Sequence, residues 1–269
     1  MILFRDIGNI IRSLVRSFAF VFRHNLWYYF FFPIALLAIL FFGGKLIFEE
    51  YLLKFDFTTI QQSQYIELIQ EKGNYDFLIA GVELITIFVI VNYSPYIVLL
   101  IMVPFQTLLS AKTDKIITGF KRKMTLKQYY SDIATASRII LRNLFLNLIY
   151  VAIWLLLSTI TRLLFHIPEM TYADTIVIYT IGFYFYGFSL IDYTTERRGL
   201  SLENRIRFPW KHIGITFIIG AFYSLAFLLP YGTGVIISTV IATIASTMAT
   251  LKVFETDPLF SQSPDFKQP

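Results

Sequence analysis

The chain has 269 residues, with 56% hydrophobic and 18% aromatic content, a mean hydropathy of +0.63 and a formal charge of +5. It is too apolar for an ordinary soluble domain, and too short to carry a membrane domain and a separate soluble one. With no cysteine, disulfides, thiolate metal sites and cysteine nucleophiles are excluded, and the three histidines, at positions 24, 166 and 212, form no metal-spaced pair.

Residues 1–24 are expected to form an amphipathic helix. At helical pitch Arg5, Arg12, Arg16 and Arg23 fall within about 20° of one line, and Ile7, Ile10, Ile11, Leu14, Val15 and Phe18 fill much of the rest. A basic stripe on an apolar helix lies in the membrane surface, its cations among anionic lipid head groups. The alternative is that the arginines collect anions. The apolar run that follows has no small-residue cleavage site, so the segment is expected to be retained.

The first span is expected over 25–48, within which Asn25 to Gly44 is uncharged. Trp27, Tyr28 and Tyr29 form an interfacial belt, and Pro33 either kinks the helix or marks its start. Glu49 to Asp76 then reads as an acidic loop, with Glu49, Glu50, Asp56, Glu67, Glu71 and Asp76 against Lys54 and Lys72. The second long span is expected over 77–103, with Glu83 near its outer end and the residues after Pro104 returning to the interface. Lys112 to Arg142 reads as a basic loop, which the bias of Lys and Arg towards the cytoplasmic side places inside, together with the N-terminal helix. Its Lys121-Arg122-Lys123 cluster fits anionic lipid better than nucleic acid.

Two helical hairpins are expected next, over 139–191 and 212–251, with a flexible tail at 255–269. His212 to Leu251 carries no formally charged side chain, and only Pro230-Tyr231-Gly232-Thr233-Gly234 interrupts it. The returning arms, Thr175 to Ile191 and Val235 to Leu251, sit at the short end for a span, so the hairpins either cross the bilayer or dip into it. Asp192, at the end of one arm, is expected to form a structural ion pair with Arg197 and Arg198, because an acid at that depth needs a partner. Asp174 is a candidate helix cap, with Arg162, His166 and Glu169 around the same turn. Asn92, Asn143 and Asn147 are expected to hydrogen-bond between helices, and Gly220, Gly234, Ser238, Ala242 and Ser246 to let helices pack closely, within or between subunits.

The run Gly187-Phe188-Ser189-Leu190-Ile191-Asp192-Tyr193-Thr194-Thr195-Glu196-Arg197-Arg198-Gly199-Leu200-Ser201 resembles the family of CysZ sulfate permeases and the eukaryotic etoposide-induced protein 2.4. So do Pro209-Trp210-Lys211-His212 through Gly220, Pro230 and Gly234, and upstream Ser94-Pro95-Tyr96 and Val103-Pro104-Phe105. The resemblance implies an inner-membrane protein of two long spans plus two shallower hairpins, and for the CysZ branch sulfate uptake for cysteine synthesis. It also implies a sulfate-binding Gly-Leu-Arg motif before the proline of the first span. The matching stretch here is Asn25-Leu26-Trp27-Tyr28, so the glycine and the arginine are both replaced. Arg23 and His24 are nearby cations, off the motif position.

The expectation is therefore an all-α integral membrane protein: an N-terminal amphipathic helix, two long transmembrane helices and two membrane hairpins in one domain over 1–254. Its function is that of a CysZ-like inner-membrane permease for a small sulfate-like inorganic anion, in the form of a homo-oligomer, with no cofactor, metal or nucleic acid. The candidate anion site is the second hairpin turn, Gly232, Thr233 and Gly234, whose helix-opening N–H groups lack internal partners, with Arg23 and His24 as further cations. The alternative is a non-transporting membrane protein that organises other membrane components. Since no P-loop, Gly-x-Ser-x-Gly or His-Glu-x-x-His occurs, an enzyme is not expected.

Overall fold

A computed structural model describes residues 2–47, 75–120, 125–165 and 172–261. The body of the acidic loop, the Lys121-Arg122-Lys123 cluster, His166, Glu169 and the end of the tail lie outside them, as do the side chains of Glu83, Asn92 and Tyr231. The helices are α1 (Ile2–Arg23), α2 (Phe31–Ile47), α3 (Tyr75–Thr118), α4 (Leu126–Phe165), α5 (Tyr172–Arg197), α6 (Leu202–Lys211), α7 (Ile213–Ala226), α8 (Thr233–Thr256) and α9 (Pro258–Ser261). Among the described residues, four stretches are long and apolar enough to cross a membrane: Tyr93–Thr118, Leu126–Phe165, Tyr172–Arg197 and Thr233–Thr256. The chain is an all-α membrane protein.

Two compact units divide the chain, residues 34–94 and the remainder. The described parts of the first are helical, in α2 and α3. Pro33 sits in the first turn of α2, where its missing N–H costs no helical hydrogen bond. It marks the helix start rather than a kink, after a short 3₁₀ turn at Trp27–Phe30.

In the larger unit α8 is the central helix, and 83% of its most apolar window is buried. Its hydroxyls tolerate that position by bonding back to their own helix: Thr239 donates to the Val235 carbonyl, Thr243 to Thr239 and Thr247 to Thr243. Around it pack α1, α5 and α7. The tightest crossing is between α5 and α7. A Cβ on Gly187 would run into the Thr216 carbonyl, and one on Gly220 into the Phe183 carbonyl, so the two backbones touch. Without a hydrophobic force between helices in lipid, this close approach supplies the packing energy.

α4 is the opposite case, with 11% of its apolar window buried. Leu156, Leu163, Leu164 and Phe165 point outward, as on a lipid-facing helix. Its inner face carries the polar groups: Asn143 Nδ2 donates to Ser189 Oγ (2.9 Å) and Asn147 Nδ2 to Tyr96 Oη (2.8 Å). These two asparagines do the interhelical bonding expected of them. α1 is arranged likewise. Asp6, Asn9, Ser13 and Ser17 are buried, while Phe4, Ile11, Val15, Phe18 and Phe22 are exposed. Arg5, Arg12, Arg16 and Arg23 are exposed as one stripe.

The expected helix ends are corrected throughout the hairpins. The region read as a basic loop is helical from Lys112 to Thr118 and again from Leu126 onward, and α5 and α8 reach Arg197 and Thr256. Some of the charges the helices run through turn inward and are paired, as Asp114 and Arg197 are, while Lys112, Lys115, Lys127 and Lys252 sit on their exposed faces. α7 is the exception: 14 residues rise about 21 Å, short of a hydrocarbon core about 30 Å thick.

Candidate functional site

The two arginines of the 187–201 run converge on Asp114 of α3. Gly199, with φ of 77°, ends α5 in a left-handed turn, closed by the Leu200 N–H donating to the Thr195 carbonyl (3.1 Å). Just before that turn Arg197 and Arg198 both point inward to Asp114. Arg197 Nε lies 3.1 Å from Asp114 Oδ2, and Arg198 reaches the same carboxylate through Nε (3.1 Å) and a terminal nitrogen (2.5 Å to Oδ1). All three side chains are at most 5% exposed. The Arg198 guanidinium also lies over the Phe120 ring, its carbon 4.3 Å from the centroid.

Hydroxyls complete this core. Both terminal nitrogens of Arg197 donate to Ser110 Oγ at 3.0 Å. Ser110 lies 2.8 Å from Thr247 Oγ1 and 3.3 Å from Thr194 Oγ1, so α3, α5 and α8 share one hydroxyl cluster. Beside it is a small space of about 10 Å³, lined by Thr107, Asp132, Tyr193, Glu196 and Arg197. That is room for about one water. Thr107 Oγ1 has no protein hydrogen-bond partner.

The expected ion pair of Asp192 with Arg197 and Arg198 is therefore corrected in its partners. Asp192 is paired, as its burial demands, by a bidentate fork from Arg205: Nε to Oδ1 at 2.9 Å and a terminal nitrogen to Oδ2 at 2.5 Å. Burial works against the Arg205 charge, but Asp192 more than offsets it and holds the guanidinium pKa above its ordinary value. Arg205 is carried by α6, capped by Ser201, whose Oγ accepts from the Asn204 N–H. Neither Asp114 nor Arg205 stands out in the sequence, since each belongs to a charged stretch that reads as a solvated loop.

A third knot ties the two ends of the described chain. His212, fully buried, has Nδ1 3.0 Å from Asp6 Oδ2 and Nε2 3.3 Å from Asp257 Oδ2. Lys211 Nζ reaches the same Asp257 oxygen at 2.6 Å. Among the described residues there is no metal-binding cluster of acids, histidines or cysteines.

The second hairpin turn has folding reasons for each of its residues. Gly232 has φ of 69°, in the left-handed region. Thr233 donates to the Pro230 carbonyl (2.9 Å) and is exposed. A Cβ on Gly234 would strike the Ala226 carbonyl. Ser238, Ala242 and Ser246 continue the seam inside the subunit, all fully buried, with Ser246 donating to the Leu190 carbonyl (3.3 Å). Gly220 faces α5.

At the end of α1, Asn25 adopts φ of 51° and the Leu26 N–H donates to the Val21 carbonyl (2.8 Å). This left-handed cap is one that glycine or asparagine forms most readily. His24 stacks on Phe20 (4.3 Å between centroids), Arg23 is exposed, and Trp27 is 51% exposed.

Residues 13–238 match the family described as Sulfate transporter CysZ/Etoposide-induced protein 2.4. The chain belongs to that family. No individual curated protein matches it. Membership makes it a multi-pass membrane protein of the sulfate-transporter type. Within that family frame the structure shows how the motif is altered. Asn25 takes a left-handed φ at the position where the resemblance implies glycine, and Trp27 presents an indole where it implies arginine.

Proposed function

We propose that this protein is a CysZ-type permease of the cytoplasmic membrane, passing a small inorganic oxyanion of the sulfate class. The observation that supports the reading is the Asp114 site: two buried guanidinium groups share one carboxylate, with Ser110, Thr194 and Thr247 beside them. Arg197 and Arg198 already hold an oxyanion there, the side chain of Asp114, and planar guanidinium forks suit sulfate oxygens equally. In a low-dielectric interior such donors replace hydration without rearranging. The basic residues flanking the spans support an orientation with those segments on the cytoplasmic side.

The test is flux of radiolabelled sulfate, with thiosulfate and phosphate alongside, in proteoliposomes. Wild type is expected to carry at least one of these anions. Arg197→Lys keeps the charge but loses the fork, and is expected to lower flux about tenfold, the loss of one charge-assisted hydrogen bond. Arg205→Lys, at the Asp192 pair, serves as the control for a buried arginine elsewhere, and size-exclusion profiles confirm folding of each.

The second reading, a protein that organises other membrane components, draws support from Trp27. An exposed indole in the arginine position favours a lipid or protein contact over an anion. Wild-type protein that carries none of the three anions decides for it.

A further inference from the structure

Away from the arginine core, a groove of about 230 Å³ opens between α1 and the last turns of α8. Three cations line it: Arg5 and Arg12 from α1, and Lys252 from α8. All three are exposed. The one carboxylate in its wall, Asp6, is turned to His212 at 3.0 Å. The groove is thus a concentration of positive charge whose local counter-ion is engaged elsewhere.

Its floor holds a second, independent signal. Asn9 lines the groove and donates through Nδ2 to the Ala249 carbonyl (3.1 Å), which fixes the amide. The other end of that amide, Oδ1, is buried with no hydrogen-bond partner. A buried acceptor without a donor is uncommon and calls for one. Gly8 leaves the space open, since a Cβ there would meet nothing within 4 Å. At the rim Phe4 is 79% exposed, with exposed Leu3 beside it. The site therefore offers three cations for an oxyanion, one acceptor for a proton, and an apolar exit.

We propose that this groove binds the head group of an anionic phospholipid. The phosphodiester sits among Arg5, Arg12 and Lys252. A head-group hydroxyl or ammonium donates to Asn9 Oδ1, and the acyl chains leave past Phe4. Inorganic phosphate shares the oxyanion chemistry but has no chain for the apolar rim.

Calorimetric titration of the full chain in an uncharged detergent separates the sources. The probes are dihexanoyl phosphatidylglycerol, dihexanoyl phosphatidylcholine and inorganic phosphate. Phosphatidylglycerol is expected to bind, and phosphatidylcholine, which has no proton to give Asn9, at least fivefold more weakly. Arg12→Gln combined with Lys252→Gln is expected to weaken phosphatidylglycerol at least tenfold. Gly8→Leu starts from a Cβ position with nothing within 4 Å, is expected to leave the melting temperature near that of wild type, and is expected to weaken binding as much. Phosphatidylglycerol affinity that is unchanged in both variants overturns the site. Equal affinity for phosphatidylcholine overturns the role of Asn9, and inorganic phosphate binding as tightly as phosphatidylglycerol overturns the assignment to lipid.

Discussion

The two hairpins close their turns by different physics. In the first, α4 and α5 are clasped by charge: Asp174 accepts from Trp154 Nε1 (3.0 Å) and Ser158 Oγ (2.7 Å), and pairs with Arg162. In the second, α7 and α8 are clasped by shape, Gly234 lying flush on the Ala226 carbonyl. The first hairpin exposes most of one arm, so side chains have room to reach across. The second has its α8 arm mostly buried, where a long polar side chain would need partners that backbone contact makes unnecessary. A hairpin at the edge of a membrane bundle can use charge, while one at its centre needs small residues.

Three substitutions probe that contrast. Gly234→Ala is expected to have the largest effect, because its new methyl meets backbone that has no rotamer to change. A loss of about 1–3 kcal/mol, read as a lowered melting temperature in micelles, is the expected outcome. Wild-type melting would mean that the shape clasp yields easily. Asp174→Asn keeps an acceptor for Trp154 and Ser158 but loses the charge towards Arg162. Since the Arg162 side chain is 26% exposed and water partly replaces its partner, a loss of about 1 kcal/mol is expected. A larger drop than for Gly234→Ala would reverse the ranking of the two clasps.

The smallest effect is a pH dependence at the base of the second hairpin. Desolvation raises the pKa of Asp257, but hydrogen bonds from Lys211 and the Leu259 N–H, the Lys211 charge and His212 together outweigh it, so the net shift is downward. A depressed carboxylate contributes stability above its ordinary pKa, and that contribution is lost as pH falls through the lower folded value. The melting temperature is thus expected to decline in acid, below the usual carboxylate range. Asp257→Asn should remove part of that slope, worth under about 1 kcal/mol because Lys211 is partly exposed. An unaltered slope in Asp257→Asn would place the acid sensitivity elsewhere.

Hydropathy made the helical membrane class and the hairpins legible, because a long uncharged run has few other uses. The motif run 187–201 likewise pointed to the right neighbourhood for the arginine core. What it concealed was pairing. Asp192 looked nearest to Arg197 and Arg198, yet a helix places residues five and six apart on other faces, and Arg205 reaches back from the next helix instead. Asp114 lies 83 and 84 residues from its arginines and was masked by surrounding lysines. The same charges make the helix ends read too early, because a helix carries charge either as a buried partner, like Asp114, or on a solvated face, like Lys115 and Lys252. At the second hairpin turn the sequence offers both an N–H role and a packing role for Gly234, and it is the packing role that the contact with the Ala226 carbonyl displays, while Gly232 serves by its left-handed φ.

The embrace of α1 has a consequence for biosynthesis. Asn9 bonds to a residue 240 positions later and Asp6 to one 206 positions later. At ribosomal speeds of roughly 5–20 residues per second, those partners are synthesised about 10–50 s after α1 itself. Throughout that interval the nascent helix has a buried face with nothing to bury it against. An arginine stripe and an exposed aromatic flank are the features a helix would need to rest on a lipid surface over that interval. The Asp6–His212–Asp257 knot therefore cannot close until nearly the whole described chain has been made.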